Sequence, residues 1–303
     1  MSSILVTDTL FILPEHERQL QAAGFSTHRL PKLKADEAEL AEAIKGKDGY
    51  ILGGVERVTR PVIDAADRLK AIVFCGTDYQ TFIPAWEHAS DRGIMVANVP
   101  DGHTHAVAEW ALSAALVMSR DFFGLGRTGA VVSATTPGLE GQTVGIVGLG
   151  HIGSRIAAML KPFRPGRILY ASNHRHADVA ADHQLHYATL PSLLRQSDVV
   201  FLCVSLKGNT NFFGREQFNL MKNGAVLVSF MQPGVINADA LHEALATAKV
   251  KVASDYPIDP RFQQFPASTY YCGNESNAFN TTAGVRYTSD RAVQKIISLL
   301  GRP

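Results

Sequence analysis

Thr143-Val144-Gly145-Ile146-Val147-Gly148-Leu149-Gly150-His151-Ile152-Gly153 is an apolar run that enters G-x-G-x-x-G and continues into a helical pattern. Each glycine of the turn answers a separate demand. Gly148 permits a tight turn, Gly150 lets backbone approach a pyrophosphate, and Gly153 lets the following helix lie close to the strand. The helix start then offers free N–H groups and a positive dipole end to phosphate. The motif alone is only a glycine-rich turn. Here an apolar strand precedes it, a helix follows over 151–163, and a second apolar run comes at 167–171, the βαβ spacing that a dinucleotide site requires. The contacts expected at this turn are Gly148, Gly150, His151, Ile152 and Gly153.

On both sides of the turn, short apolar runs alternate with longer amphipathic stretches, which predicts an α/β protein with parallel sheets. Upstream, strands are expected at 3–7, 49–52, 71–74 and 95–98, with helices at 15–23, 36–43 and 61–66. Downstream, strands are expected at 143–148, 167–171, 199–204, 225–230 and 251–254, with helices at 151–163, 190–195 and 239–248. Two longer helices are expected at 104–122 and 289–300. The stretch 124–141 holds five glycines and a proline without clear periodicity and reads as a loop. A final helix that packs back on the first sheet would make the chain cross between two Rossmann-like domains twice.

Composition narrows the function classes. The chain has 303 residues, 46% hydrophobic and 19% charged, a globular balance with room for two cores. Its 29 basic and 28 acidic residues give a formal charge of +1 with no long single-sign run, which speaks against nucleic acid or an anionic membrane as partner. Cys75, Cys203 and Cys272 lie far apart, outside any CxxC pair, and are expected to be reduced thiols without a metal role. The N-terminal segment lacks a basic start and a long apolar stretch, and no run approaches the ~20 residues of a membrane span. The expectation is a cytoplasmic protein.

The end of the strand at 167–171 chooses the cofactor. An acid there would bind the adenosine ribose diol and repel a 2′-phosphate. The chain instead runs Tyr170-Ala171-Ser172-Asn173-His174-Arg175-His176, with no acid until Asp178. Ser172, Asn173 and His174 offer polar contacts and Arg175 a cation for phosphate, so NADP is expected, with NAD tolerated if the loop is merely polar.

Over almost its full length the chain resembles the D-isomer-specific 2-hydroxyacid dehydrogenases, a family that includes glycerate and phosphoglycerate dehydrogenases and glyoxylate/hydroxypyruvate reductases. The resemblance is carried by Asp91-Arg92-Gly93-Ile94-Met95-Val96-Ala97-Asn98-Val99-Pro100, by Ala106-Val107-Ala108-Glu109, by 139–153, and by Met221-Lys222-Asn223-Gly224-Ala225-Val226-Leu227-Val228. It implies a dinucleotide-binding domain at 104–282, a discontinuous flavodoxin-like substrate domain at 1–103 plus 283–303, and a homodimer joined through the cofactor domains. It also implies cofactor contacts from Val204, Ser205 and Thr210 in the loop through Lys207, and from Met231 and Asp255.

The family's catalytic set is an Arg that binds the substrate carboxylate, a His that exchanges a proton, and a Glu that tunes the His. At the matching positions this chain carries Gln232, Thr281 and, allowing a one-residue gap, Asp259. Gln232 hydrogen-bonds but cannot form a bidentate charged clamp, and Thr281 does not titrate near neutrality. His103 and His105, in the loop before the first long helix, and Tyr79 are candidate proton donors; each is otherwise an ordinary loop histidine or packing aromatic. Three readings follow: an oxidoreductase for a ketone, aldehyde or imine; a catalytically silent dinucleotide-binding sensor; or a conventional 2-hydroxyacid dehydrogenase such as a glyoxylate reductase.

Overall fold

The computed structural model describes residues 2–301 apart from 9, 31, 33, 129–134, 207 and 274, with backbone alone at 126–128. Its contacts divide the chain into two units, Met1–His103 with Asn280–Pro303, and Thr104–Phe279.

Among the described residues the first unit has one five-stranded parallel sheet: β1 (Ser2–Thr7), β2 (Phe25–Leu30), β3 (Gly49–Leu52), β4 (Ala71–Phe74) and β5 (Met95–Asn98), in the order β2-β1-β3-β4-β5. The strands β3 and β4 are buried at every position, which is why they read as unbroken apolar runs. The strand β2 escaped the sequence reading because Ser26, Thr27, His28 and Arg29 interrupt its apolar ends. It pairs with β1 alone at the sheet edge.

The helix Thr282–Leu300 packs on β3, β4, β5 and the helix Pro14–Ala22, burying Val285, Ala292, Val293 and Ile296. It begins seven residues before the expected 289. The extra turns contain a glycine and two threonines, poor helix formers, yet Thr281 caps them by accepting the Gly284 N–H at 3.0 Å. Lys295 Nζ donates to the Asn98 carbonyl at 2.6 Å, and the Tyr287 hydroxyl to Asp101 at 2.7 Å, so this helix also holds the segment leaving β5.

The second unit carries β6 (Thr143–Val147), β7 (Arg167–Ala171), β8 (Leu185–Tyr187), β9 (Val199–Leu202), β10 (Ala225–Ser229), β11 (Val250–Ser254) and β12 (Tyr270–Cys272). Its parallel sheet runs β12-β11-β10-β9-β6-β7-β8. The winding direction reverses between β6 and β9, and a ligand crevice is expected beyond their carboxyl ends. The helix Thr104–Ser119 presents Ala108, Ala111 and Ala115, all fully buried, which lets it approach the helix His151–Leu160 and the β10–β11 face closely. The edge strands β8 and β12 have three residues each, too few to show a period.

Two expectations are corrected here. The helix expected at 104–122 stops at Ser119, where Asp121 turns the chain at φ 51°. The expected loop at 124–141 opens instead inside a second helix, Phe122–Thr128; Gly124 and Gly126 had masked it by lowering its propensity. Residues 129–134 of that stretch lie outside the described residues. Among the described residues, no helix is long and apolar enough to cross a membrane.

Candidate functional site

The turn after β6 explains its own glycines. Gly148 has φ +95°, and a Cβ there would sit 2.5 Å from the Cys203 carbonyl oxygen at the end of β9. A Cβ on Gly153 would lie 2.2 Å from the Gly148 carbonyl, so the helix could not approach the strand. Gly150 differs. A Cβ on it would meet nothing within 4 Å, so protein packing does not demand this glycine, whereas close approach of a ligand would. The helix His151–Leu160 starts at Gly150, and its first internal hydrogen bond is Ser154 N to Gly150 O. The amides of His151, Ile152 and Gly153 therefore have no acceptor within the helix and can take an anion. These residues fit a dinucleotide pyrophosphate at the switch point.

Beyond β7, Asn173, His174 and Arg175 are exposed and Ser172 is half-buried. The Ser172 hydroxyl donates to the His174 carbonyl, which orders the loop. The Arg175 guanidinium lies 4.7 Å from the ring centroid of Tyr187 on β8. Sequence reasoning missed Tyr187, since it comes close to Arg175 only through strand pairing.

The loops after β9 and β10 run side by side. Asn211 N donates to the Gly234 carbonyl at 2.7 Å, and Asn209 Nδ2 to Ser205 O at 2.8 Å. Val204 flanks the turn, its Cγ1 3.3 Å from where a Gly148 Cβ would be. Ser205 and Thr210 are exposed, and Lys207 lies outside the described residues. Gln232 and Met231 stand with Ser229, Pro233, Gly234, Ile236 and Ile258, none of them charged, around a crevice too small to hold a water molecule.

Asp255, at the end of β11, is 4% exposed, and both its oxygens are occupied. Oδ1 accepts the Asn277 and Ala278 amides at 2.8 and 2.9 Å, and Oδ2 accepts the Ser276 hydroxyl at 2.5 Å. Asp259 is also engaged. It caps the short helix Pro260–Gln264 and pairs with Arg261, whose side-chain hydrogen bonds hold its carboxyl below the usual range.

The remaining candidates belong to both units. In the first unit, His103 is half-buried, with Nε2 2.8 Å from the Cys75 carbonyl and Nδ1 3.5 Å from the Thr288 hydroxyl. Burial lowers its pKa, while the Cys75 contact works the other way. Tyr79 packs edge-on against Trp86 at 6.1 Å. Thr281 is the helix cap already described. His105, in the second unit, is exposed on the first turn of Thr104–Ser119. Glu56 had no signal in the sequence: it is fully buried in the first unit, with neither carboxylate oxygen in hydrogen-bond geometry to a partner. Cys75, Cys203 and Cys272 are unpaired, and burial raises the thiol pKa of each. Among the described residues, no group of three or more His, Cys, Asp or Glu could hold a metal ion.

Comparison with known proteins bears on this arrangement. Residues 123–259 match the family described as D-isomer specific 2-hydroxyacid dehydrogenase, NAD binding domain. The human glyoxylate reductase/hydroxypyruvate reductase is 33% identical over 227 residues, 71% of this chain and 68% of that protein. The glyoxylate reductase of Thermococcus kodakarensis is 30% identical over 247 residues, 77% of this chain and 73% of that one. Among solved structures, the TT0316 protein from Thermus thermophilus superposes with a TM-score of 0.85 at 25% identity, covering 98% of this chain and 96% of that one.

Proposed function

The chain belongs to the D-isomer-specific 2-hydroxyacid dehydrogenase family, and we propose that it is an NADP(H)-preferring oxidoreductase whose substrate lacks the usual carboxylate. The observation that carries this reading is Gln232 itself, a neutral carboxamide at the position where the family carries its carboxylate-binding arginine. A carboxylate is held best by a bidentate cation, and a carboxamide offers only neutral hydrogen bonds. A ketone, aldehyde or imine suits Gln232 better.

The bound dinucleotide would supply the hydride donor or acceptor. The chain supplies the rest. The amides of 151–153 hold the pyrophosphate, Arg175 and Asn173 meet the 2′-phosphate, and Gln232 orients the substrate through its amide. Asp255 and Asp259 act as structural carboxylates, and Thr281 caps the C-terminal helix without titrating. A homodimer and a cytoplasmic location belong to the same proposal; light scattering at the mass of one chain would contradict the dimer. A second reading, reduction of small 2-keto acids, draws support from relatives named glyoxylate reductase. The test is consumption of NADPH and of NADH against a panel of neutral carbonyls and 2-keto acids. The proposal expects turnover with a neutral carbonyl and NADPH, and turnover confined to 2-keto acids would favour the second reading.

A further inference from the structure

The contact between Arg175 and Tyr187 has a second layer behind it. Tyr187 ends β8, and the register sets it directly beside Tyr170 of β7. The two rings meet edge to face, with centroids 5.5 Å apart and planes at 74°. Tyr170 is 2% exposed and belongs to the core, whereas Tyr187 is 43% exposed at the sheet edge. What that exposed ring carries is the guanidinium of Arg175. The stack thus runs from the core through Tyr170 and Tyr187 to a cation at the carboxyl end of β7.

Stacking of this kind uses the face of the guanidinium and leaves its edge outward. The edge holds the N–H donors that fork onto phosphate oxygens. A free arginine gives up rotamer entropy when a ligand fixes it, and a side chain already stacked has lost part of that freedom beforehand. We propose that Tyr187 is a specificity-determining positioning residue: it holds Arg175 in place to receive the 2′-phosphate of NADP(H). Tyr187 itself touches no part of the cofactor in this account. The inference rests on the NADP(H) preference proposed above.

The test is calorimetric titration of the full chain with NADPH and with NADH, for wild type, Tyr187→Ala, Tyr187→Leu, Tyr187→Phe, Arg175→Ala and the Arg175→Ala/Tyr187→Ala double variant. Loss of an exposed cation–π stack corresponds to about 2- to 5-fold in affinity. Tyr187→Ala is expected to weaken NADPH by that factor and leave NADH unchanged. Tyr187→Leu, which keeps apolar cover over Tyr170 without an aromatic face, should do the same, and Tyr187→Phe should restore wild-type affinity. The double variant should bind NADPH as Arg175→Ala does, because Tyr187 acts only through Arg175. Equal weakening of both cofactors, or an additional loss in the double variant, would show a packing role and overturn the proposal. Unchanged NADPH affinity in Tyr187→Ala alongside a loss in Arg175→Ala would overturn it while sparing the NADP(H) preference. A wild type that binds NADH as tightly as NADPH would overturn both.

Discussion

The Nε2 of His103 lies 2.8 Å from the carbonyl oxygen of Cys75, and a carbonyl oxygen can only accept. Nε2 therefore carries the proton, and Nδ1 faces the Thr288 hydroxyl as acceptor. The Phe11 ring, 5.4 Å away, covers the imidazole. This histidine is built into the wall of the first unit.

A pH dependence of stability follows from that burial. The folded pKa of His103 is lowered from 6.5, so between the two values the folded state binds fewer protons than the unfolded one. The stabilisation is fully present above about 6.5 and is lost as pH falls toward the lowered value. Urea unfolding across that window should show a steeper decline for wild type than for His103→Asn. Parallel declines would mean that the ring is not buried as a neutral group.

Glu56 has the opposite sign. Burial above all, and the nearby Asp8, raise its carboxyl above 4.5. Folding therefore favours the protonated form, and stability falls as pH rises from about 4.5 through the raised value. Glu56→Gln removes the charge while keeping the shape. It should be more stable than wild type at neutral pH, by about 1–3 kcal/mol, with the gap closing below about pH 4.5. A destabilised Glu56→Gln at neutral pH would show that the carboxylate has a partner after all.

Gly150 separates ligand from scaffold. Alanine there meets no atom within 4 Å, and its φ of −83° is ordinary for alanine. Gly150→Ala should therefore melt at or slightly above the wild-type temperature, since such replacements stabilise by about 0.4–1 kcal/mol. Its dinucleotide affinity should drop by about tenfold or more, equivalent to about 1.4 kcal/mol. Gly153→Ala, with its Cβ 2.2 Å from the Gly148 carbonyl, should instead lose stability by about 1–3 kcal/mol. Full cofactor affinity in Gly150→Ala would place the pyrophosphate elsewhere.

The legible parts of this fold are those where backbone geometry leaves no choice. Gly148 and Gly153 could be read from the sequence because any other residue collides with neighbouring backbone. The buried strands β3 and β4 could be read because burial on both faces writes a continuous apolar run. Edge strand β2 could not, since one neighbour and a solvent-facing side admit Ser26, Thr27, His28 and Arg29. The helical turn at 282–288 hid behind poor propensity that Thr281 and tertiary packing overcome. In the site, the partners of Asp255 stand 21 to 23 residues away, and Tyr187 reaches Arg175 through strand register, so neither relationship has a local signature.

The most direct measurement is steady-state reduction of glyoxylate, pyruvate and hydroxypyruvate, with NADPH and NADH, by wild type and by a Gln232→Arg/Thr281→His double variant. A missing general acid costs about 10²–10⁴-fold, and an absent carboxylate clamp adds to it. Wild-type turnover should therefore fall at least about 10²-fold below the usual ~1–10³ per second, while NADPH still binds. The double variant should stay nearly as slow, because catalytic groups act as a unit in a pocket shaped for them. Wild-type turnover of any of these 2-keto acids within that usual range would contradict the account and establish a conventional 2-hydroxyacid dehydrogenase.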